Sequence, residues 1–163
     1  MIVAKALGGA RGVARQAERV ALRRRSCTVR AEHLLIAACE APTPSLAAVL
    51  ERHGLNADDI ADGIDLERAA ALLAAGVSVD DYDLGGRAPS FTRPRWESSA
   101  REALERAVQL AARRRDRRVT ADHVVLGVLQ PNRGTVPRAL ARLEVDRHDL
   151  RAAVDSGLDA APA

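Results

Sequence analysis

Apolar residues recur at spacings of three and four in two separate stretches, and the same order of elements follows each. Ala100, Leu104, Ala107, Val108 and Ala111 form one stripe on a helix whose other face carries Arg101, Glu102, Glu105 and Arg106, with Glu102 and Arg106 spaced for an i,i+4 pair. Val13, Ala17, Val20 and Ala21 repeat the stripe. An arginine-rich elbow comes next, residues 23–25 and 113–118. Residues 34–39 and 124–129 are then apolar almost all round, which predicts the most buried helix of each stretch. In the second stretch Thr120 can cap the first turn of that helix and Asp122 faces the positive end of its dipole. In the first stretch Arg30 stands at the cap instead.

Pro42, Pro44 and Pro131 end these central helices. Thr43-Pro44 has the chemistry of a new helix start, with threonine at the cap and proline at the first helical position, and Gly54 is the matching stop. Asn56 and Asp146 can each cap a short fourth helix ending near Ile64 and Val154. Residues 66–75 read as a further helix closed by Gly76, and residues 77–94 as an irregular connector.

The two stretches superimpose at a shift of 90 positions, from His33 to His123. Arg23–Arg25 fall on Arg113–Arg115, Glu32-His33 on Asp122-His123, Leu50 on Leu140, Arg52 on Arg142 and Asp59 on Asp149. This internal repeat predicts an all-α protein of two tandem four-helix units packed as one pseudo-twofold bundle. The expected division is a single domain over 1–163, with repeat 1 at 10–64, a helix and irregular connector at 65–99, repeat 2 at 100–154 and a flexible tail at 155–163. A chain of 163 residues is the size of one compact domain, so the repeats are expected to share a core.

Composition changes this picture little. The apolar residues are mostly Ala, Leu and Val, with Tyr82, Phe91 and Trp96 the three aromatics, which suits close helix packing. The net charge is +3, carried by arginine with Lys5 the single lysine. A basic nucleic-acid-binding regulator is therefore the alternative reading, but three aromatics give no stacking platform and no recognition module is visible. Cys27 and Cys39 do not form a disulfide framework, which points to a reducing cytoplasm. Cys27, His33, Cys39 and His53 follow no zinc spacing, and no nucleophile set or phosphate loop is present, so neither metal, cofactor nor enzymatic activity is expected. The first ten residues are too short and too broken by Gly8-Gly9 for a secretory segment or a membrane span.

A duplicated four-helix unit whose second helix opens Glu32-His33-Leu34-Leu35 or Asp122-His123-Val124-Val125-Leu126-Gly127 resembles the Clp N-terminal domain family. Leu143-Glu144-Val145-Asp146 and Gly54-Leu55-Asn56 echo that family's Leu-Gly-Val/Ile-Asp turn, and the resemblance covers residues 10–154. It implies a substrate-recognition domain of the Clp unfoldases, here free-standing and without ATPase modules, acting as a monomer on a protein or peptide: a Clp ATPase, its clients, its adaptors, or a cyclic peptide ligand. In members that read phosphorylated arginine, the glutamate of this motif faces the guanidinium and a threonine after an aromatic holds the phosphate. Glu32 and Asp122 are thus candidate ligand-binding residues. At the threonine position, counted within each repeat, stand Leu7 and Glu97. Glu97 puts negative charge where phosphate would sit, so phosphoarginine binding is expected to be weak or absent. Trp96 occupies the aromatic position and is a candidate anchor in the groove between the first helices of the two repeats. Structural roles compete with each of these readings: helix-dipole stabilisation for the two acids, core packing for Trp96, and local bonding around the cap for His33 and His123.

Overall fold

The computed structural model describes residues 9–77 and 92–160. Leu7, most of the connector and the last three residues lie outside that range. Among the described residues there are eight helices: α1 (Ala10–Arg23), α2 (Ala31–Glu40), α3 (Pro44–Arg52) and α4 (Ala57–Ala74) in the first repeat, then α5 (Ser98–Arg114), α6 (Ala121–Leu129), α7 (Thr135–Arg142) and α8 (Arg147–Ala160) in the second. The predicted all-α, two-repeat architecture holds. Every residue from Glu32 to Cys39 in α2 is buried, as is every residue of α6, because neither helix has a polar face to turn to water. These two helices pack against each other at the centre, α1 covers α2, and α5 covers α6.

The repeats are interlocked through their ends. α4 packs on α7 of the other repeat, and α8 packs on α3. Glu67 of α4, only 6% exposed at its side chain, accepts from Arg138 Nε at 2.5 Å and from Arg142 Nε at 2.8 Å. The equivalent of Glu67 in α8 is Gly157, which lies against Ser45 and Val49 with no ion pair. One interface is therefore held by charge and the other by close approach. The α5–α6 crossing is tighter still: a Cβ on Gly127 would lie 2.3 Å from the Ala103 carbonyl oxygen.

Four local expectations change. The short fourth helix ending near Ile64 and the helix from Leu66 are one continuous α4, because Ile64 is in the core and Glu67 is anchored to α7. α8 likewise runs to Ala160, through the first part of the segment expected to be a flexible tail. Thr120 does not cap α6 with its hydroxyl. Instead the ring of His123, the third residue of the helix, accepts from the Thr120 amide at 3.1 Å, and His33 does the same for Arg30 at 3.0 Å, which supplies the cap that the first repeat lacked in sequence. Finally, β1 (Thr28–Val29) and β2 (Arg95–Trp96) form a short parallel pair across the repeats. Two-residue strands leave no periodic signal to read.

Candidate functional site

Glu32 and Asp122 stand in the first turns of α2 and α6, 3% and 1% exposed. Carboxylates at that depth need donors. Asp122 takes its two short hydrogen bonds from the opposite repeat, Thr43 Oγ1 donating to Oδ2 at 2.7 Å and Ser45 Oγ to Oδ1 at 2.6 Å, with a longer one from Thr120 Oγ1 to Oδ2 at 3.4 Å. Thr43 has a second duty, since its hydroxyl oxygen accepts from the Leu46 amide at 3.1 Å to cap α3. The capping chemistry that starts α3 thus also satisfies the buried acid.

Glu32 has different company at the symmetric place. The counterparts of Thr43 and Ser45 are Arg133 and Thr135, and both line a cleft of about 310 Å³ with Glu32, Arg30, Glu97 and Arg106. Yet Glu32 Oε1 is buried and accepts no hydrogen bond among the described residues. The corresponding cleft beside Asp122 is larger, about 570 Å³, and is lined by Thr43, Ala48, Arg52, Gly157 and Leu158. Gly157, the counterpart of Glu67, forms part of that lining.

Counting within a repeat assigns Glu97 to Asp122, but the structure brings it to Glu32. The β1–β2 pair causes this: Arg95 N donates to Cys27 O at 2.9 Å and Glu97 N to Val29 O at 3.0 Å, which lays the start of repeat 2 along repeat 1. Glu97 then meets Arg30, whose Nη2 donates to Oε1 at 3.2 Å while Nε lies 2.8 Å from Oε2. Burial pushes the Glu97 carboxyl up, but hydrogen bonds from Arg30 and Thr28 with the Arg30 charge outweigh it and hold the group below its ordinary range. The cleft at Glu32 therefore contains an ionised, arginine-paired Glu97 beside an unpaired carboxylate oxygen. Residues 95–163, which take in all of the second repeat, match the family model of the Clp repeat (R) N-terminal domain.

The fold is that of a Clp N-terminal domain. The N-terminal domain of the caseinolytic protease associated chaperone ClpD from Arabidopsis thaliana superposes with a TM-score of 0.62 at 18% identity, over 90% of each chain. The Hsp104 N-terminal domain from Candida albicans gives 0.62 at 17% identity, over 94% of this chain and 91% of that one. No curated protein sequence matches significantly. Among the described residues, no single helix is long and apolar enough to cross a membrane.

Within this Clp N-domain fold, Trp96 is half-buried against the core and its Nε1 donates to Glu18 Oε1 of α1 at 3.0 Å. It sits where α1 meets the start of repeat 2, beside Val29 of the β1–β2 pair. Residues that the sequence reading gave no place at the site also matter here. Thr43 and Ser45 satisfy Asp122 from far along the chain, and Asp116 Oδ2 meets His123 Nε2 at 2.9 Å. Thr120 Oγ1, His123 and Asp116 have the order of a hydroxyl, a base and an acid. The Nδ1 lone pair is, however, shared with the Thr120 amide and the ring is buried, so the arrangement works as a helix cap. A carboxylate seven positions before a capping histidine was the signal available for it.

Proposed function

We propose that this chain is a non-enzymatic protein- or peptide-binding module serving Clp-dependent proteolysis in the cytoplasm, either by bringing substrates or adaptors to an unfoldase or by competing with the unfoldase's own N-terminal domain for them. The observation that supports this reading is Glu32 Oε1, buried without a donor and lining an open cleft. A guanidinium or ammonium group from a bound chain supplies the donors that carboxylate requires. Glu97, ionised and close by, favours an unmodified basic side chain and repels a phosphorylated one. Trp96 beside α1 offers a second, aromatic contact for the same partner or for a cyclic peptide.

The ion pairs of the elbow favour a protein partner over nucleic acid. Arg23 pairs with Glu40, Arg24 with Asp65 and Arg114 with Asp155, so part of the basic run is neutralised within the fold. The immobilised chain should retain a purified Clp ATPase or its clients, and the retention should weaken in Glu32→Gln. Salt-sensitive shifting of mixed DNA on a gel, with no retention of Clp proteins, would replace this reading by the nucleic-acid one.

A further inference from the structure

The elbows of the two repeats share one backbone conformation but carry different side chains, Ser26 standing where the second repeat has Asp116. Arg25 and Arg115 both adopt the left-handed conformation, with φ of 55° and 60°. The next amide turns back identically, Ser26 N to Ala21 O at 2.8 Å and Asp116 N to Ala111 O at 2.9 Å. Side chains at positions 26 and 116 therefore leave equivalent points in equivalent directions. In the second repeat, Asp116 Oδ2 lies 2.9 Å from His123 Nε2 and 3.3 Å from Arg114 Nε. The outer amines of Arg114 are held by Asp155 and Asp159.

The first repeat keeps the histidine, the arginine and one outer acid of this arrangement, but has Ser26 for Asp116 and Ala69 for Asp159. Arg24 replaces Arg114 and pairs outward with Asp65, the counterpart of Asp155. His33 replaces His123, and its Nδ1 accepts from the Arg30 amide, so the neutral ring carries its proton on Nε2. Serine stands at position 26, and its hydroxyl is committed to Thr28, donating to the carbonyl at 2.8 Å and accepting from the amide at 3.3 Å. His33 Nε2 and Arg24 Nε are both buried donors with no acceptor among the described residues; in the twin Asp116 takes up His123 Nε2, while Arg114 Nε stays an ion-pair neighbour at 3.3 Å without a hydrogen bond. His33 is wholly buried.

We propose that His33 Nε2 and Arg24 Nε form a carboxylate-binding position in the first repeat, filled from outside by the acidic group of a small carboxylate or of a bound peptide, as Asp116 fills its twin from within. In the twin the carboxylate position opens to solvent, Asp116 being 39% exposed, and Ser26 at the same place is half-buried. The surroundings favour an anion: Arg24, Arg68 and Arg30 face His33, against Glu97 alone on the negative side.

The probes are formate and acetate, titrated at constant ionic strength against chloride while the histidine ring resonances are followed by NMR. Saturable movement of the His33 Nε2 signal, with the His123 signal unmoved, is the expected result. Ser26→Asp supplies the acceptor in place and should lower affinity for formate at least about tenfold, the loss of one charge-assisted hydrogen bond. Asp116→Ser should make the His123 ring respond in turn. Amidated peptides carrying Asp or Asn separate the two sources: an Asp peptide that outcompetes acetate makes the ligand a peptide, and equal affinity makes it a free carboxylate. An unmoved His33 signal, an equal response to chloride, or an undiminished response in Ser26→Asp would overturn the proposal.

Discussion

Replacing Gly127 by alanine should destabilise the protein, although alanine is the better helix former. On propensity alone the change favours the helix by about 1 kcal/mol. The added Cβ, however, would lie 2.3 Å from the Ala103 carbonyl oxygen and 3.1 Å from the Ala107 nitrogen. Both atoms are backbone of α5, so no rotamer change relieves the contact and the two helices must part at their crossing. Overpacking of a dense core costs about 1–3 kcal/mol, and a backbone clash of this depth belongs at the upper end. Separation also strains the hydrogen bond from Arg106 Nε to the Gly127 carbonyl, 2.8 Å long and worth about 1–2 kcal/mol more. The net is a loss of about 3–4 kcal/mol, a fall in Tm of roughly 6–16 °C for a chain of this size. Thermal unfolding followed by circular dichroism measures it. A Tm that is unchanged or raised would show that α5 and α6 do not approach as described.

His33 gives a pH dependence of known sign. Burial first, then Arg24, Arg68 and Arg30, lowers its pKa from 6.5 to about 4. The unfolded chain takes up the proton that the folded one refuses, so stability falls as pH drops from about 6.5 to about 4 and the loss levels off below; integrated, it is about 3 kcal/mol. A His33 ring that titrates near its ordinary value by NMR would contradict this. Glu67 behaves in the opposite sense, its carboxyl held below the usual value chiefly by the Arg142 hydrogen bond, against burial and with help from Arg138. Its contribution is present above the unfolded value of 4.5 and disappears as pH falls through the lower folded one; Glu67→Gln should cost about 1 kcal/mol near neutrality, the arginines being half-exposed, and flatten that part of the acid profile. Restoring threonine with Leu7→Thr and Glu97→Thr should raise phosphoarginine affinity by about 1–3 kcal/mol, and calorimetry with no gain would show that Glu97 is not the obstacle.

The fold was legible wherever a helix announced its burial in its own sequence. Residues 34–39 and 124–129 lack a polar face, and the constant offset of the repeats paired every helix with a partner. Contacts made at long range were not legible. Gly63 and Asp65 look like a helix end, and only the packing of Ile64 and the grip of α7 on Glu67 carry α4 through them. Glu32 and Asp122 look alike in sequence, and what separates them is the pair of hydroxyls on Thr43 and Ser45, delivered by the opposite repeat. The crossing of Glu97 to Glu32 depends on four residues pairing as strands, too few for a pattern.

The most direct test of the account is calorimetric titration of a short blocked peptide containing arginine into the wild-type chain and into Glu32→Gln, with the phosphoarginine form of the same peptide alongside. The account predicts saturable binding of the unmodified peptide, weakened at least about tenfold when Glu32 loses its charge, and weaker binding of the phosphorylated form. Tight binding of phosphoarginine that depends on Glu32 and Asp122, or arginine binding indifferent to Glu32→Gln, would contradict it.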